Sequence, residues 1–298
     1  MHTVITPVHP EPEFLTFDTV LKARAVESVM LDAIDDGRLA GVELMPGRPA
    51  DEAELVRVHD PRYVKAVITG DPDDLAASNG IGWDPHLFAI AAGSAGAVRD
   101  AALEALSSGG YVGALSAGLH HARRQRGNGY CTFNGLALAL RAAEDVGARR
   151  VMVLDVDAHC GGGTASFIAG MGRVEQLDLS LYSFDHYEST DRCRLVMVEP
   201  ENYLSVLDRE LAQVTDPEGI DLVIHNAGMD VHEHAGGPKG MTTEVVAARE
   251  TMIFEWAKAH GLPLAWTLAG GYTSAGLTLR EVAELHLLTP AAAIAATN

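Results

Sequence analysis

"VMVLDVDAHCGGGT", residues 151–164, is the stretch on which the fold turns. Four apolar residues, Val151 to Leu154, lead into Asp155, Asp157 and His159 at alternate positions, and three glycines follow. A strand repeats every two residues, so the three polar groups face one way. Stacked at the end of a buried strand, they are costly unless something compensates them. Their chemistry points to a cation.

Outward from this strand the chain alternates. Strands are expected at 3–8, 111–116, 151–155, 174–181, 221–228 and 263–271. Helices are expected at 18–36, 90–106, 136–146, 203–214 and 243–260, with a further helix opening at Pro61. Such alternation predicts the α/β class: one predominantly parallel sheet with helices on both faces, in a single domain over 1–298. Sheets of this kind carry their sites beyond the carboxyl ends of the strands. Four exits carry chemistry: "AGLHHARRQRGNGYC" (117–131), "DVDAHCGGG" (155–163), "AGMDVHEH" (227–234) and "AGGYTSAG" (269–276).

A catalytic zinc usually keeps three protein ligands and an open position, and Asp157, His159 and Asp230 would supply three. The same donor set suits Fe(II). His120 or His121 is placed to take a proton from water, and Tyr272 to donate a hydrogen bond to a developing oxyanion. Together the parts suit metal-assisted amide hydrolysis. Each has a plainer reading alone: Asp230 as a helix cap, Tyr272 as a packed loop aromatic, the histidine pair as solvated. Cys160, next to His159, should point away as an inert thiol, and His232 and His234 read as loop residues.

Composition narrows the classes. The 298 residues are 47% hydrophobic and carry a formal charge of −19, which argues against nucleic acid and permits a cationic substrate. Three scattered cysteines suggest a reducing compartment. No signal peptide and no membrane span is read, so a cytoplasmic protein is expected, without membrane partners. A homo-oligomer is compatible with these features.

The chain resembles the histone deacetylase family, which includes acetylpolyamine amidohydrolases and bacterial acetoin-utilisation proteins. The resemblance rests on "RPADEAELVRVHDPRYVKAV" (48–67), "GLHHARRQRGNGYCTFNGLALA" (118–139), "VLDVDAHCGGGT" (153–164), "NAGMD" (226–230) and "LAGGY" (268–272). It implies the arginase–deacetylase fold and a zinc-dependent hydrolase that removes an acyl group from acetyl-lysine or an acetylpolyamine. It implies Asp157, His159 and Asp230 as zinc ligands, His120 and His121 as the tandem histidines with His121 shuttling the proton, and Tyr272 as the transition-state tyrosine. Asp155 is implied to orient His120 and, with Ser180 and Leu181, to hold a structural potassium ion. Gly129 and Tyr130 fall where the family lines its substrate tunnel.

There are departures. Cys160 replaces a second histidine. Gly162 stands where relatives often carry Asp or Asn, so His121 is expected to lack its orienting partner and Gly162 to tolerate a side chain; Gly161 and Gly163 are read as conformational. The N-terminal "VHPEPEFLTFD" also departs, and Asp84 is considered as an acidic rim group. An arginase-like ureohydrolase needs a second carboxylate where Gly161 stands. A catalytically weak acyl-ligand binding member of the fold is the other alternative.

Overall fold

The computed structural model describes residues 2–297. In chain order the elements are β1 (His2–Thr6), α1 (Asp18–Asp35), β2 (Val42–Pro46), α2 (Glu52–Val58), α3 (Pro61–Thr69), α4 (Asp73–Ala76), α5 (Leu87–Ser108), β3 (Tyr111–Ala117), α6 (Gly135–Asp145), β4 (Val151–Asp155), α7 (Gly162–Ile168), β5 (Val174–Ser180), β6 (Cys193–Met197), α8 (Tyr203–Ala212), β7 (Leu222–Ala227), α9 (Thr243–Ala259), β8 (Leu264–Leu268), α10 (Leu279–Leu285) and α11 (Leu288–Thr297). Local signals place them. Asp51 and Glu54 form a capping box at α2. Asp60 caps α3 with Pro61 at its first position, and a left-handed Gly70 ends it.

The eight strands form one sheet in the order β2-β1-β3-β8-β7-β4-β5-β6. Every pair is parallel, as the alternation of strands and helices predicts. β4, β7 and β8 are buried along their whole length, as continuous apolar runs demand. α5 and α6 belong to the core on one face, α1, α9 and α11 to the core on the other. The two strands the sequence reading missed, β2 and β6, are the sheet's edges. Each is half exposed and lacks the apolar run that marked its neighbours.

The order explains the convergence. β3, β8, β7 and β4 are consecutive in the sheet, and these are the four strands whose exits carry His, Tyr, Asp and Asp-x-His. A register shift late in β3, between Ala114 and Ala117, precedes the turn into the histidine loop.

Candidate active site

Asp157 and His159 leave β4, and Asp230 leaves the adjacent β7. Nδ1 of His159 lies 3.0 Å from Oδ2 of Asp230 and 3.2 Å from Oδ1 of Asp157. One ligand atom from each residue falls within 4.8 Å of the others. Each carboxylate commits an oxygen to backbone: Oδ1 of Asp230 accepts from Ala158 N–H at 3.1 Å, and Oδ2 of Asp157 accepts from Gly270 N–H at 3.0 Å. Burial and the charge of Asp157 push Asp230 up. Burial also works against ionised Asp157, but His120 and His159 hold it well below the carboxylate range. Burial lowers His159 too, yet its two carboxylate partners outweigh this and take it to about 11. The corner therefore demands positive charge. Two carboxylate oxygens and an imidazole nitrogen around one point fit zinc or Fe(II).

The tandem histidines stand beside it. Nδ1 of His120 is 2.8 Å from Oδ2 of Asp155, whose Oδ1 accepts from Asn226 Nδ2 at 2.9 Å. Burial opposes a charged His120, but Asp155 and Asp157 hold it at about 10. Its Nε2 is 3.1 Å from Nε2 of His121. Burial and cationic His120 press His121 down to about 4. Protonated His120 thus donates to Nε2 of neutral His121, whose proton sits on Nδ1. That proton faces Oδ2 of Asp185 at 3.1 Å.

Asp185 was not foreseen. It corrects the expectation that His121 lacks a partner. Its side chain is 3% exposed, accepts from Gly163 N–H at 2.9 Å, and pairs with the Arg123 guanidinium. The backbone carbonyl of Asp185 fills the space a side chain at Gly162 would need, so Gly162 does not tolerate one. Gly161 and Gly163 likewise owe their identity to crowding rather than to angle. Neither has a positive φ. A Cβ at Gly161 would sit 2.5 Å from Oδ2 of Asp155, and one at Gly163 would strike the His120 carbonyl. The same crowding leaves no room at 161 for the carboxylate an arginase-like site needs.

Tyr272 follows β8. The first two turns of α1 pin its loop: Lys22 Nζ donates to the carbonyls of Ala269 and Gly270 at 2.6 and 2.5 Å, and Thr273 N–H donates to Asp18 at 2.6 Å. Burial, then the nearby Asp230 and Asp157, push the Tyr272 phenol well up, so it remains a proton donor. Phe14, Phe17, Tyr130 and Tyr272 line a mouth of about 710 Å³. Gly129 places its backbone beside the His121 and Phe184 rings, where a Cβ at 129 would meet them at 2.5 and 2.7 Å. Among the described residues four non-glycines have positive φ, and three of them, Leu119, Tyr130 and Asp185, border this site. Asp84 is not on the rim: it is buried and accepts N–H bonds from Glu13, Phe14, Leu15 and His86. His232 and His234 line a separate surface groove with Glu233 and Glu244. Cys160 is buried and pushed up to about 12, as an inert thiol should be.

Asp155, Ser180 and Leu181 lie together, since Asp155 pairs with Asp178 across β4 and β5 and Leu181 N–H donates to Ala158 O. The buried Asp178 was missed. It accepts from Ser180 Oγ at 2.6 Å and from Gly161 N–H at 2.7 Å, and burial beside Asp155 raises it to about 7.

The sequence profile of the histone deacetylase domain matches residues 21–288, most of the chain. The chain belongs to the histone deacetylase family. It is therefore a deacetylase, a hydrolase acting on amides. It is 26% identical over 285 residues to a probable deacetylase of Methanothermobacter thermautotrophicus, covering 86% of this chain and 82% of that protein. It is 34% identical over 146 residues to the polyamine deacetylase HDAC10 of Mus musculus, covering 44% of this chain but 22% of that protein. The crystal structure of the HDA15 HD domain superposes with a TM-score of 0.72 at 20% identity, over 99% of this chain and 90% of that one, which shows the arginase–deacetylase fold. No helix among the described residues of this deacetylase is long and apolar enough to cross a membrane.

Proposed function

We propose that this deacetylase is a zinc-dependent amidohydrolase that removes an acetyl or other acyl group from an N-acylated amine, with the whole chain acting as one catalytic unit in the cytoplasm. The observation that carries the proposal is the convergence of Asp157, His159 and Asp230 within 4.8 Å, beside two histidines whose Nε2 atoms are 3.1 Å apart. When bound, the metal supplies Lewis acidity to the substrate carbonyl and to the attacking water. His121 exchanges the hydrogen bond from His120 for one from the water and takes the water proton at Nε2, while Asp185 holds its Nδ1–H and keeps the ring oriented. The C–O bond forms as Tyr272 donates to the oxygen that gains charge. The C–N bond then breaks, and His121 returns the proton to the leaving amine, giving the carboxylic acid and the amine, which part as carboxylate and ammonium. His120, cationic and fixed by Asp155, steadies the anionic centre. Gly129 and Tyr130 line the acyl-amine tunnel, and Asp155, Ser180 and Leu181 hold a structural potassium ion, with Asp178 against them.

The exposed aromatic mouth suits an extended aliphatic amine, an acetyl-lysine side chain or an acetylpolyamine. The partner of His121 removes the main reason to prefer a catalytically weak binding member of the fold. The test is elemental analysis of freshly purified protein, with turnover of an acetyl-lysine peptide and of N-acetylated polyamines. About one zinc or iron per chain with release of acetate is expected. Protein that holds no metal, and gains neither metal nor activity when zinc is added, overturns the proposal.

A further inference from the structure

Behind the three proposed ligands lies a second buried polar cluster, outside the machinery described above. Arg249, on α9, is fully buried. Its Nη1 donates to the carbonyls of Val156 at 3.1 Å and Gly228 at 2.7 Å. Val156 directly precedes Asp157, and Gly228 stands two residues before Asp230. One guanidinium nitrogen therefore bridges the backbones of the two loops that carry the carboxylates. These loops are pressed together there: a Cβ on Gly228 would meet the Cβ and Oδ2 of Asp157, each at 2.9 Å.

The guanidinium is itself held. Its Nε donates to Oε1 of Glu250 at 2.8 Å, and its Nη2 lies 2.7 Å from the same oxygen. Oε2 of Glu250 is 3.0 Å from Nε2 of His225 on β7. Arg249, Glu250 and His225 are all fully buried. Burying an ion pair costs more than filling the space with apolar side chains, so such a pair is weak evidence of a stabilising role. Here the cation's remaining donors go to the ligand-bearing loops.

We propose that Arg249 is a positioning residue for the metal centre: by bridging Val156 and Gly228 it sets the spacing of Asp157 and Asp230 before the ion arrives. The inference rests on the proposed metal site and concerns affinity, not the chemical step. Supports of this kind typically contribute ten- to a hundredfold to metal affinity.

The experiment measures the zinc dissociation constant of the purified full chain by competition with a chromophoric chelator, alongside thermal unfolding in excess chelator. Arg249→Met should bind zinc about ten- to a hundredfold more weakly, and Arg249→Lys, which keeps one charged donor, should recover part of the loss. Glu250→Gln removes no volume and should weaken zinc severalfold by freeing the guanidinium. A folded Arg249→Met with the parent's zinc affinity overturns the inference, even if its unfolding temperature falls. Where Arg249→Met fails to fold, parental affinity in Glu250→Gln overturns it equally. The parent's own zinc uptake tests the metal site, whereas the variant-to-parent ratio tests Arg249, so the two failures are distinct.

Discussion

His59 and His120 are both buried imidazoles, and a single residue touches both. Asn134 donates its backbone N–H to Nε2 of His59 at 3.0 Å and its side-chain amide to the His120 carbonyl at 3.3 Å. Their states are nonetheless opposite. His59 meets only backbone, with Nδ1 donating to Arg123 O at 3.0 Å, inside a ring of Tyr63, Phe133 and Phe167. Burial presses it down to about 4, so it stays neutral. His120 meets carboxylates and stays charged at about 10. The aromatic pocket is closed, with every imidazole nitrogen satisfied by neutral groups. The strand-exit corner is open, with a surplus of carboxylates that calls for a cation. Burial alone does not make a functional site; burial with unbalanced charge does.

The largest expected effect breaks the corner. Asp157→Asn should lose bound metal and lower kcat/KM by about a thousandfold or more, because several kcal/mol of charge stabilisation depends on the ion. Retention of metal at the parent's stoichiometry would show that Asp157 is not a ligand. Tyr272→Phe should keep metal and fold but lose ~2.7–4 kcal/mol of transition-state stabilisation, about a hundred- to a thousandfold in kcat. A variant within twofold of the parent would make Tyr272 a packing residue.

The closed pocket answers to pH instead. His59 is lowered from 6.5 to about 4, so its contribution is fully present above pH 6.5 and is lost as pH falls toward 4. Urea unfolding of the parent should lose roughly 3 kcal/mol more over that window than unfolding of His59→Gln. Equal slopes for the two proteins would show that His59 does not titrate in this way. The smallest effect lies between the two regions. Asp185→Asn keeps an acceptor for Nδ1 of His121 but removes the charge, and kcat should fall about tenfold with KM little changed. A change confined to KM would place Asp185 in substrate binding.

Much of this site was legible because a parallel sheet converts spacing along the chain into neighbourhood in space. Asp-x-Asp-x-His, the histidine pair, Asp230 and Tyr272 each end a buried strand, and buried strands announce themselves as apolar runs. What escaped reading lacked that signal. β2 and β6 are edges. Asp185 comes from the loop after β5, 64 residues beyond its histidine, and nothing local distinguishes "SFDHY" from an ordinary turn. The available clue was the carboxylate missing at Gly162, which had to come from somewhere. Lys22 left a fainter trace: it shares the apolar stripe of Val26, Val29 and Ala33 on α1, where a lysine needs a buried partner. Arg249 and Glu250 are adjacent charges in a helix, and nothing in sequence says that such a pair faces inward.

The contact between Gly162 and Asp185 also constrains how this chain can change. His121 takes its carboxylate from the loop after β5, and the backbone carbonyl of Asp185 occupies the volume a side chain at 162 would require. An aspartate introduced at 162 alone therefore collides, and removal of Asp185 alone strands the imidazole. Each single step is therefore downhill, and a second change confined to the side chain at 185 leaves the backbone obstacle in place. Gly162→Asp should be poorly folded, and because the nearest obstacle is a backbone carbonyl, adding Asp185→Gly should not restore it; a thermal melt of the two variants would register a recovery if there were one. The path of the backbone after β5, rather than the identity of one side chain, thus fixes glycine at 162.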